Sequence, residues 1–281
     1  MKIKTKLSYT KSFSKEFNFP YSDNHIKKYH YSCESYFQES YTDFKLENID
    51  LNNTKKNISY IILKPDFFVS DKLALLEDVI EQLPCKVIGV FEIQFSRYSI
   101  RELWRYEYNN SKIDRYSLID KLLTTGPSIF LLLKKEIKDD INDFSHQMTM
   151  LKKNNKDKNL LNGKSIREYL NTYTGTFNFI HSPDEFIDFI REIGVLFEKT
   201  QRIQICNAIK KDTKLNYLEN LKKVERLYPK LALDKVNINI LGISSKDLQR
   251  WNHIIYLNNN INFKNKHIPR RFDFEEPYHE S

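Results

Sequence analysis

Residues 177–193 read Phe-Asn-Phe-Ile-His-Ser-Pro-Asp-Glu-Phe-Ile-Asp-Phe-Ile-Arg-Glu-Ile, and this stretch predicts a strand that passes directly into a helix. The strand is expected to cover 176–181 and to end at His181. Ser182 suits the N-cap, Pro183 suits the first helical position, and Glu185 completes a capping box. A helix over 183–199 is predicted from apolar residues that recur at helical spacing, namely Phe186, Phe189, Ile190, Ile193, Leu196 and Phe197.

This arrangement places the imidazole of His181 beside a helix N-terminus, which attracts anions. Glu192 follows eleven residues later, and a helix that folds back along the strand would bring its carboxylate to one ring nitrogen. An imidazole whose tautomer is fixed in this way is a neutral nucleophile. A structural or surface role is the simpler interpretation of one histidine at a strand end, so the rest of the chain must decide between them.

The segment resembles the active-site stretch of nucleoside diphosphate kinases. The matching residues, at the family's spacing, are Asn178, His181, Asp184, Glu192 and Ile193. Three other segments resemble the family in its own order: Tyr60-Ile-Ile-Leu-Lys-Pro-Asp66, Leu123-Thr-Thr-Gly-Pro-Ser-Ile-Phe-Leu-Leu-Leu133 and Lys164-Ser-Ile-Arg167. The resemblance implies an α+β fold: a ferredoxin-like βαββαβ antiparallel sheet with added helices, expected to be covered on one face.

The resemblance also implies a role for each matching residue. His181 would accept a phosphoryl group at Nδ1, and Glu192 would hold the other ring nitrogen. Lys64 and Arg167 would contact the nucleotide phosphates, and Asn178 the ribose and phosphate region. The implied donor is ATP or another nucleoside triphosphate with Mg²⁺ bridging its phosphates, and no protein residue is predicted to ligate the metal. Such a transfer needs positive charge around the phosphoryl oxygens and an in-line nucleophile.

Two aromatic residues receive roles from the same resemblance. Trp104 falls where the family usually has a tyrosine near the nucleophile. Tyr116, or alternatively Arg115, lies near the position that stacks on the base. Both aromatic residues could instead belong to the core or to an interface. In the same way, the predicted phosphate-binding cations could be solvated surface residues, and the predicted carboxylate could form an ordinary exposed ion pair.

The chain departs from the family pattern in three places. Ser182 and Pro183 replace Gly and Ser after the nucleophile, and proline removes one backbone N–H donor. Phe67 and Phe68 replace small residues. The family's other phosphate ligands have no clear counterpart between 134 and 163, where a lysine-rich stretch could supply cations or form a solvated loop. The family often builds oligomer contacts there, so a homo-oligomer stays open, as does a nucleotide-binding regulatory or sensor module with weak or no transfer activity.

Composition limits the remaining classes of function. The 281 residues are 40% hydrophobic and 29% charged, which is typical of a soluble globular protein. Apolar runs are too short to span a membrane, and the N-terminus lacks the apolar core of a secretory signal, so a cytoplasmic location is predicted. Three scattered cysteines without a CxxC pair indicate reduced thiols and no zinc site. The net charge of +8 suits nucleotides, but the lysines are dispersed, which favours a lysine-rich surface over a nucleic-acid groove.

Three regions are predicted along the chain: an aromatic-rich N-terminal extension over 1–57, the kinase-like domain over 58–199, and a mostly helical C-terminal extension over 200–281. The aromatic residues of the first region are expected to pack on the domain or on a partner, because a disordered tail rarely carries so many. Asp50–Lys56 is predicted as a polar linker, and Val236–Ile240 as a short strand followed by a capped helix. Neither extension carries recognisable chemistry.

Overall fold

The computed structural model describes residues 22, 24–70, 72–109, 114–136, 143–172 and 178–228. Four strands in this part of the chain form one sheet: β1 (Ile58–Leu63), β2 (Cys85–Ile93), β3 (Ser128–Lys135) and β4 (Ile180–His181). Their order is β2-β3-β1-β4, and every neighbouring pair is antiparallel. This is the strand order of a βαββαβ ferredoxin-like sheet, so the predicted α+β fold class is confirmed.

Helices surround the sheet and connect its strands. Before β2 they are α1 (His25–Ser32), α2 (Ser35–Leu46), α3 (Leu51–Asn57), α4 (Pro65–Val69) and α5 (Leu73–Gln82). Between β2 and β3 lie α6 (Arg97–Leu103), α7 (Arg105–Asn109) and α8 (Asp114–Thr124). The rest are α9 (Phe144–Lys153), a 3₁₀ turn (Leu161–Gly163), α10 (Ile166–Tyr169), α11 (Phe186–Leu196), α12 (Lys199–Lys211) and α13 (Leu218–Glu225). No helix in the described ranges has the length and apolar character to cross a membrane.

Strand β1 lies at the centre of the fold because all its residues are buried and, apart from Ser59, have largely apolar side chains. Its residues alternate between two cores, as the period of a strand requires. Tyr60 and Ile62 pack in the core that contains α2 and α11, whereas Ile61 and Leu63 pack in the core that contains α5 and α9. The expectation of a sheet covered on one face was therefore wrong, because helices cover both.

The N-terminal helices belong to the first of these cores. Phe37, Tyr41 and Phe44 of α2 are buried, and the ring of Phe44 stacks on Phe189 of α11 with centroids 6.2 Å apart. The predicted packing of N-terminal aromatic residues on the domain is confirmed for this part of the chain. The aromatic residues before residue 22 lie outside the described residues, as do the predicted strand Val236–Ile240 and the helix after it. The boundaries of the three regions stay predictions.

The strand and the helix on either side of residues 182–185 differ from their predicted boundaries. Phe179 has a left-handed backbone with φ of 62°, and β4 begins only at the next residue. Helix α11 begins at Phe186 and is capped by Glu185, whose N–H bonds to the side chain of Asp188. Ser182 is therefore not an N-cap; its buried hydroxyl lies 3.2 Å from that of Thr149 in α9. Ser182 and Pro183 instead belong to the loop between β4 and α11.

The predicted linker Asp50–Lys56 is also wrong, because this segment is helix α3. Asp50 caps it by accepting the N–H groups of Asn52 and Asn53 at 3.0 and 3.1 Å. Leu51 and Thr54 are buried, and the helix leads into β1 without a break. A short polar sequence hid the helix because only these two positions face the core, too few to produce a periodic pattern.

Gly194 allows α2 to cross α11 closely. A Cβ atom added at this position would lie 2.0 Å from the main-chain oxygen of Tyr36. We expect Gly194→Ala to lower the free energy of unfolding by about 3 kcal/mol or more, because a backbone atom cannot move aside as a side chain can. Val195→Ala, one position on, should cost only about 1 kcal/mol. Denaturant unfolding of both variants measures the difference, and equal losses would show that the crossing is not tightly constrained.

Candidate functional site

His181 and Glu192 form a hydrogen bond at the junction of β4 and α11. The distance from His181 Nε2 to Glu192 Oε2 is 2.8 Å, and the hydroxyl of Tyr60 donates to the same carboxylate oxygen. Among the described residues, none forms a hydrogen bond with His181 Nδ1. When Glu192 is ionised, Nε2 carries the ring proton and Nδ1 presents a lone pair. The predicted contact between these two residues is confirmed.

The end of β1 fixes the position of β4, the strand that contains His181. Ile62 pairs directly with His181, and the main-chain N–H of Lys64 donates to the carbonyl of Phe179 at 2.9 Å. The carboxylate of Asp66, buried at the start of α4, accepts the N–H of Phe179 at 3.0 Å. Lys-Pro-Asp thus holds Phe179 in its left-handed conformation, and the two residues after it enter the sheet beside β1.

His181 lies in a cavity of about 270 Å³, and its side chain is 14% exposed. The cavity brings together most of the predicted site residues, which are Lys64, Trp104, Arg167, Asn178, His181 and Glu192. Further charged side chains that line it are Lys27, Glu107, Lys152, Lys153, Asp184 and Asp188. Its apolar wall comes from α6, α7 and α8, and includes Leu103, Ile119, Leu122 and Leu123.

The two aromatic predictions differ in outcome. Trp104 packs edge-on against His181, with ring centroids 5.2 Å apart and planes at 78°, so its predicted place beside His181 is confirmed. Tyr116 packs against Tyr108 at 5.0 Å and beneath the guanidinium of Arg101 at 4.6 Å. It is not among the residues that line the cavity, so its contact with a base stays a prediction. The side chain of Arg115 lies outside the described residues.

Two lysines at the end of α9 extend the set of cations. Lys152 is 2% exposed, and its ammonium donates to the carbonyl of Ser182 at 2.9 Å and lies 3.8 Å from Asp184. Lys153 binds the same carboxylate at 2.9 Å. The lysine-rich stretch therefore supplies cations from its first two residues. Helical periodicity held the missed signal, because Phe144, Met148 and Lys152 recur every four residues on the buried face of α9.

Burial and mutual repulsion control the charge of this cluster. Burial is the largest effect on Lys152 and lowers its pKa to about 7; Asp184 opposes this, whereas the charges of Arg167 and Lys153 act in the same direction as burial. Burial also lowers the pKa of His181 well below its ordinary value, with Lys152 acting in the same direction. Burial alone would raise the pKa of Asp184, but the two lysines hold it below its usual range. At neutral pH the site therefore combines a neutral imidazole with a lysine that is only partly protonated, and an anionic ligand would favour the charged form of that lysine.

Tyr60 is a second residue that sequence reasoning missed. It lies four residues before Lys64, and alternation along a strand places both on one face of β1. Its hydroxyl and the ring N–H of His181 share one oxygen of Glu192, whose pKa is raised by burial. A buried carboxylate needs such donors to stay ionised. Counting back an even number of residues from the Lys-Pro-Asp motif along an alternating strand could have identified Tyr60.

No protein-family model matches the chain, and no curated protein matches it. Among solved structures, the nucleoside diphosphate kinase of Aquifex aeolicus is 17% identical with a TM-score of 0.37, over 50% of this chain and 94% of that one. An NDP kinase from Pyrobaculum aerophilum is 15% identical with a TM-score of 0.35, over 51% and 97% of the two chains. Both likenesses are distant, so only the geometry of the site bears on function.

The burial of Lys152 lowers the free energy of unfolding of the protein. In the folded protein Lys152 has a pKa of about 7, against an ordinary value of 10.5. The unfolded chain therefore binds the proton more tightly, and this destabilises the fold below about pH 10. We expect Lys152→Met to raise the free energy of unfolding by a few kcal/mol at pH 7, since one pKa unit corresponds to about 1.4 kcal/mol.

The gain should shrink as the pH rises above 7 and disappear above 10.5, where Lys152 is neutral in both the folded and the unfolded chain. Thermal unfolding at pH 7 and pH 10 measures it. Lys153→Met is the matched control, because this side chain is 31% exposed and pairs with Asp184. A gain for Lys153→Met equal to that for Lys152→Met, or a gain that does not depend on pH, would contradict the assignment.

Proposed function

We propose that the chain is a nucleoside diphosphate kinase-like phosphotransferase that moves the terminal phosphate of a nucleoside triphosphate to a nucleotide acceptor through a phosphohistidine at His181. One observation carries the proposal: Glu192 binds Nε2 of a neutral imidazole at 2.8 Å, and buried cations line the cavity that contains the same ring. A structural histidine does not need a fixed tautomer together with surrounding Lys64, Lys152 and Arg167. A phosphate-accepting histidine needs both.

The transfer has two steps. The lone pair of His181 Nδ1 attacks the terminal phosphorus; an N–P bond forms, the P–O bond to the rest of the nucleotide breaks, and a diphosphate leaves with that electron pair. An oxygen of the acceptor's terminal phosphate then attacks the same phosphorus, and the N–P electron pair returns to Nδ1. Cations around the phosphoryl oxygens stabilise charge in both steps. Lys64, Lys152 and Arg167 are the residues to which we assign this role.

A triphosphate that carries Mg²⁺ is compatible with the residues that line the cavity. Mg²⁺ binds few protein carboxylates and takes its other ligands from phosphate and water, so a protein metal cluster is not required. Asp184 and Glu107 are the carboxylates beside the phosphate-binding cations; burial raises the pKa of Glu107, whereas the two lysines of α9 hold the pKa of Asp184 low, so Asp184 is the residue to which we assign contact with the ion. When bound, Mg²⁺ neutralises phosphate charge; the protein's part is to position the phosphates with its lysines and arginine.

The loop after the nucleophile replaces one kind of donor with another. Pro183 has no N–H to offer a phosphate, but the ammonium of Lys152 reaches the same loop and binds the carbonyl of Ser182 at 2.9 Å. An anionic ligand would raise the pKa of this lysine from about 7 and hold it in its charged form. The departure from the family pattern is therefore consistent with transfer, with a lysine in the place of backbone donors.

The direct test is phosphoenzyme formation. Full-length protein incubated with Mg²⁺ and γ-labelled ATP should acquire an acid-labile, base-stable label, and a nucleoside diphosphate should remove it. His181→Ala should take no label but retain most of its nucleotide affinity, because the nucleophile does not anchor the phosphates. His146→Ala, in which an exposed histidine of α9 is removed, is the matched control and should label like the wild type.

Three results would contradict the proposal. Label that persists in His181→Ala would place the phosphate acceptor elsewhere. Nucleotide binding without any label on the wild type would identify the alternative, a nucleotide-binding regulatory or sensor module built on this fold. Loss of nucleotide binding in His181→Ala, with its fold intact, would make this residue part of the binding surface rather than a nucleophile.

A further inference from the structure

Helix α1 of the N-terminal extension contributes two side chains to the cavity that contains His181. Lys27 and Tyr31 lie four residues apart, so they share one face of the helix, and both are buried at 8% and 4% exposure. No motif in this region of the sequence pointed to such a role. The extension that seemed to lack chemistry therefore forms part of the wall of the candidate active site.

Both side chains bind the carboxylate of Asp188 in α11. The ammonium of Lys27 lies 2.8 Å from Asp188 Oδ2, and the hydroxyl of Tyr31 donates to Oδ1 at 2.8 Å. Lys27 also contacts Glu185 at 3.1 Å, and Ser22 donates to the other oxygen of Glu185 at 2.5 Å. The N-terminal extension thus supplies one cation and two hydroxyl donors to the carboxylates at the start of α11.

Asp188 and Glu192 are one helical turn apart, so they project from the same face of α11. Two buried carboxylates at this spacing repel each other, and repulsion favours protonation of one of them. Lys27 opposes this effect: its positive charge lowers the pKa of Glu192, which burial raises. Burial would lower the pKa of Lys27 itself, but Asp188 and Glu185 keep it above its ordinary value, so the lysine stays charged.

The protonation state of Glu192 decides whether Nδ1 can react. With one proton on the pair, His181 Nε2–H donates to an ionised Glu192, and Nδ1 has a free lone pair. A second proton produces either an imidazolium or a neutral Glu192 that donates to Nε2 and leaves the ring proton on Nδ1. Nδ1 has no lone pair in the imidazolium, nor when a neutral Glu192 donates to Nε2, so transfer slows below the higher apparent pKa of the pair.

We propose that Lys27 is a positioning residue that keeps Glu192 ionised and thereby keeps Nδ1 of His181 free to accept a phosphoryl group. The N-terminal extension then contributes to the active site and sets the pH range in which it works. This inference rests on the proposed function, in which His181 is the nucleophile. It predicts that loss of the Lys27 charge and loss of the Asp188 charge have opposite effects on the pH dependence of transfer.

Other groups around the pair set the background for this effect. Tyr60 donates to Glu192 from β1, and Tyr31 faces it from α1. Lys152 in α9, Arg167 in α10 and Lys64 after β1 lower the pKa of the imidazole, and Asp184 before α11 raises it. The charged groups near α2 and α6 face elsewhere, since Glu34 binds Arg191 and Asp43 binds Arg202. Among the described residues, Lys27 is thus the cation that approaches the carboxylate side of the pair.

The test measures the rate of phosphoenzyme formation between pH 5 and 9 in the full-length protein. Lys27→Gln keeps a hydrogen-bonding group but removes the charge, and it should move the acid limb upward by roughly one pH unit. The rate on that limb then falls about tenfold, while the plateau at high pH is unchanged. Asp188→Asn should move the limb downward, and Lys27→Arg should restore the wild-type profile. Lys28→Gln, which removes a charge one residue away, is the matched control.

The outcomes separate this inference from the proposed function. An equal loss of rate at every pH in Lys27→Gln would indicate a purely structural role and overturn the inference, as would an unchanged profile. If the wild type takes no label, the proposed function fails, and ¹⁵N NMR of the His181 ring still tests the effect of Lys27. The pH at which Nδ1 gains its proton should be about one unit higher in Lys27→Gln; the same pH in both proteins would overturn the inference.

Discussion

The hydrogen bond between His181 and Glu192 is the interaction on which the candidate site depends. It joins the two-residue strand β4 to helix α11, and both partners are largely or fully removed from water. Around it, Lys-Pro-Asp after β1 fixes the start of the strand, and α2 crosses over the helix where Gly194 removes a side chain. The packing of the protein thus positions one imidazole and one carboxylate against each other, and it leaves Nδ1 for chemistry.

The charges around this bond come from parts of the chain that are distant in sequence. Lys64 follows β1, Lys152 ends α9, and Lys27 comes from the N-terminal extension. Each is buried, and each is close to a carboxylate, at Asp66, Asp184 and Asp188 respectively. Buried ion pairs of this kind contribute little net stability, and their main effect is to fix the positions of the charged groups. They keep the imidazole neutral and concentrate positive charge where a phosphate would enter.

Local patterns predicted much of this structure. The apolar run of β1, the motif Lys-Pro-Asp and the His–Glu spacing identified the central strand, the turn and the pair itself. The pattern could not predict that Phe179 would adopt a left-handed backbone, which shortens β4, or that Glu185 and not Ser182 would cap α11. Nor could it place Lys27 in the cavity, because this residue approaches through tertiary packing of a helix whose sequence looks like an ordinary amphipathic surface. Periodicity puts Lys152 on the buried face of α9, but it does not indicate which cavity that face lines.

The most direct test of the central claim is the position of the phosphoryl group on the ring. Phosphorus NMR of the full-length protein after reaction with Mg²⁺ and a nucleoside triphosphate distinguishes phosphohistidine substituted at Nδ1 from that substituted at Nε2. Because Glu192 occupies Nε2, the account predicts a signal from the Nδ1 isomer that is absent in His181→Ala. A phosphoramidate at Nε2 would contradict it, since that bond could form only if the interaction at the centre of the site were broken.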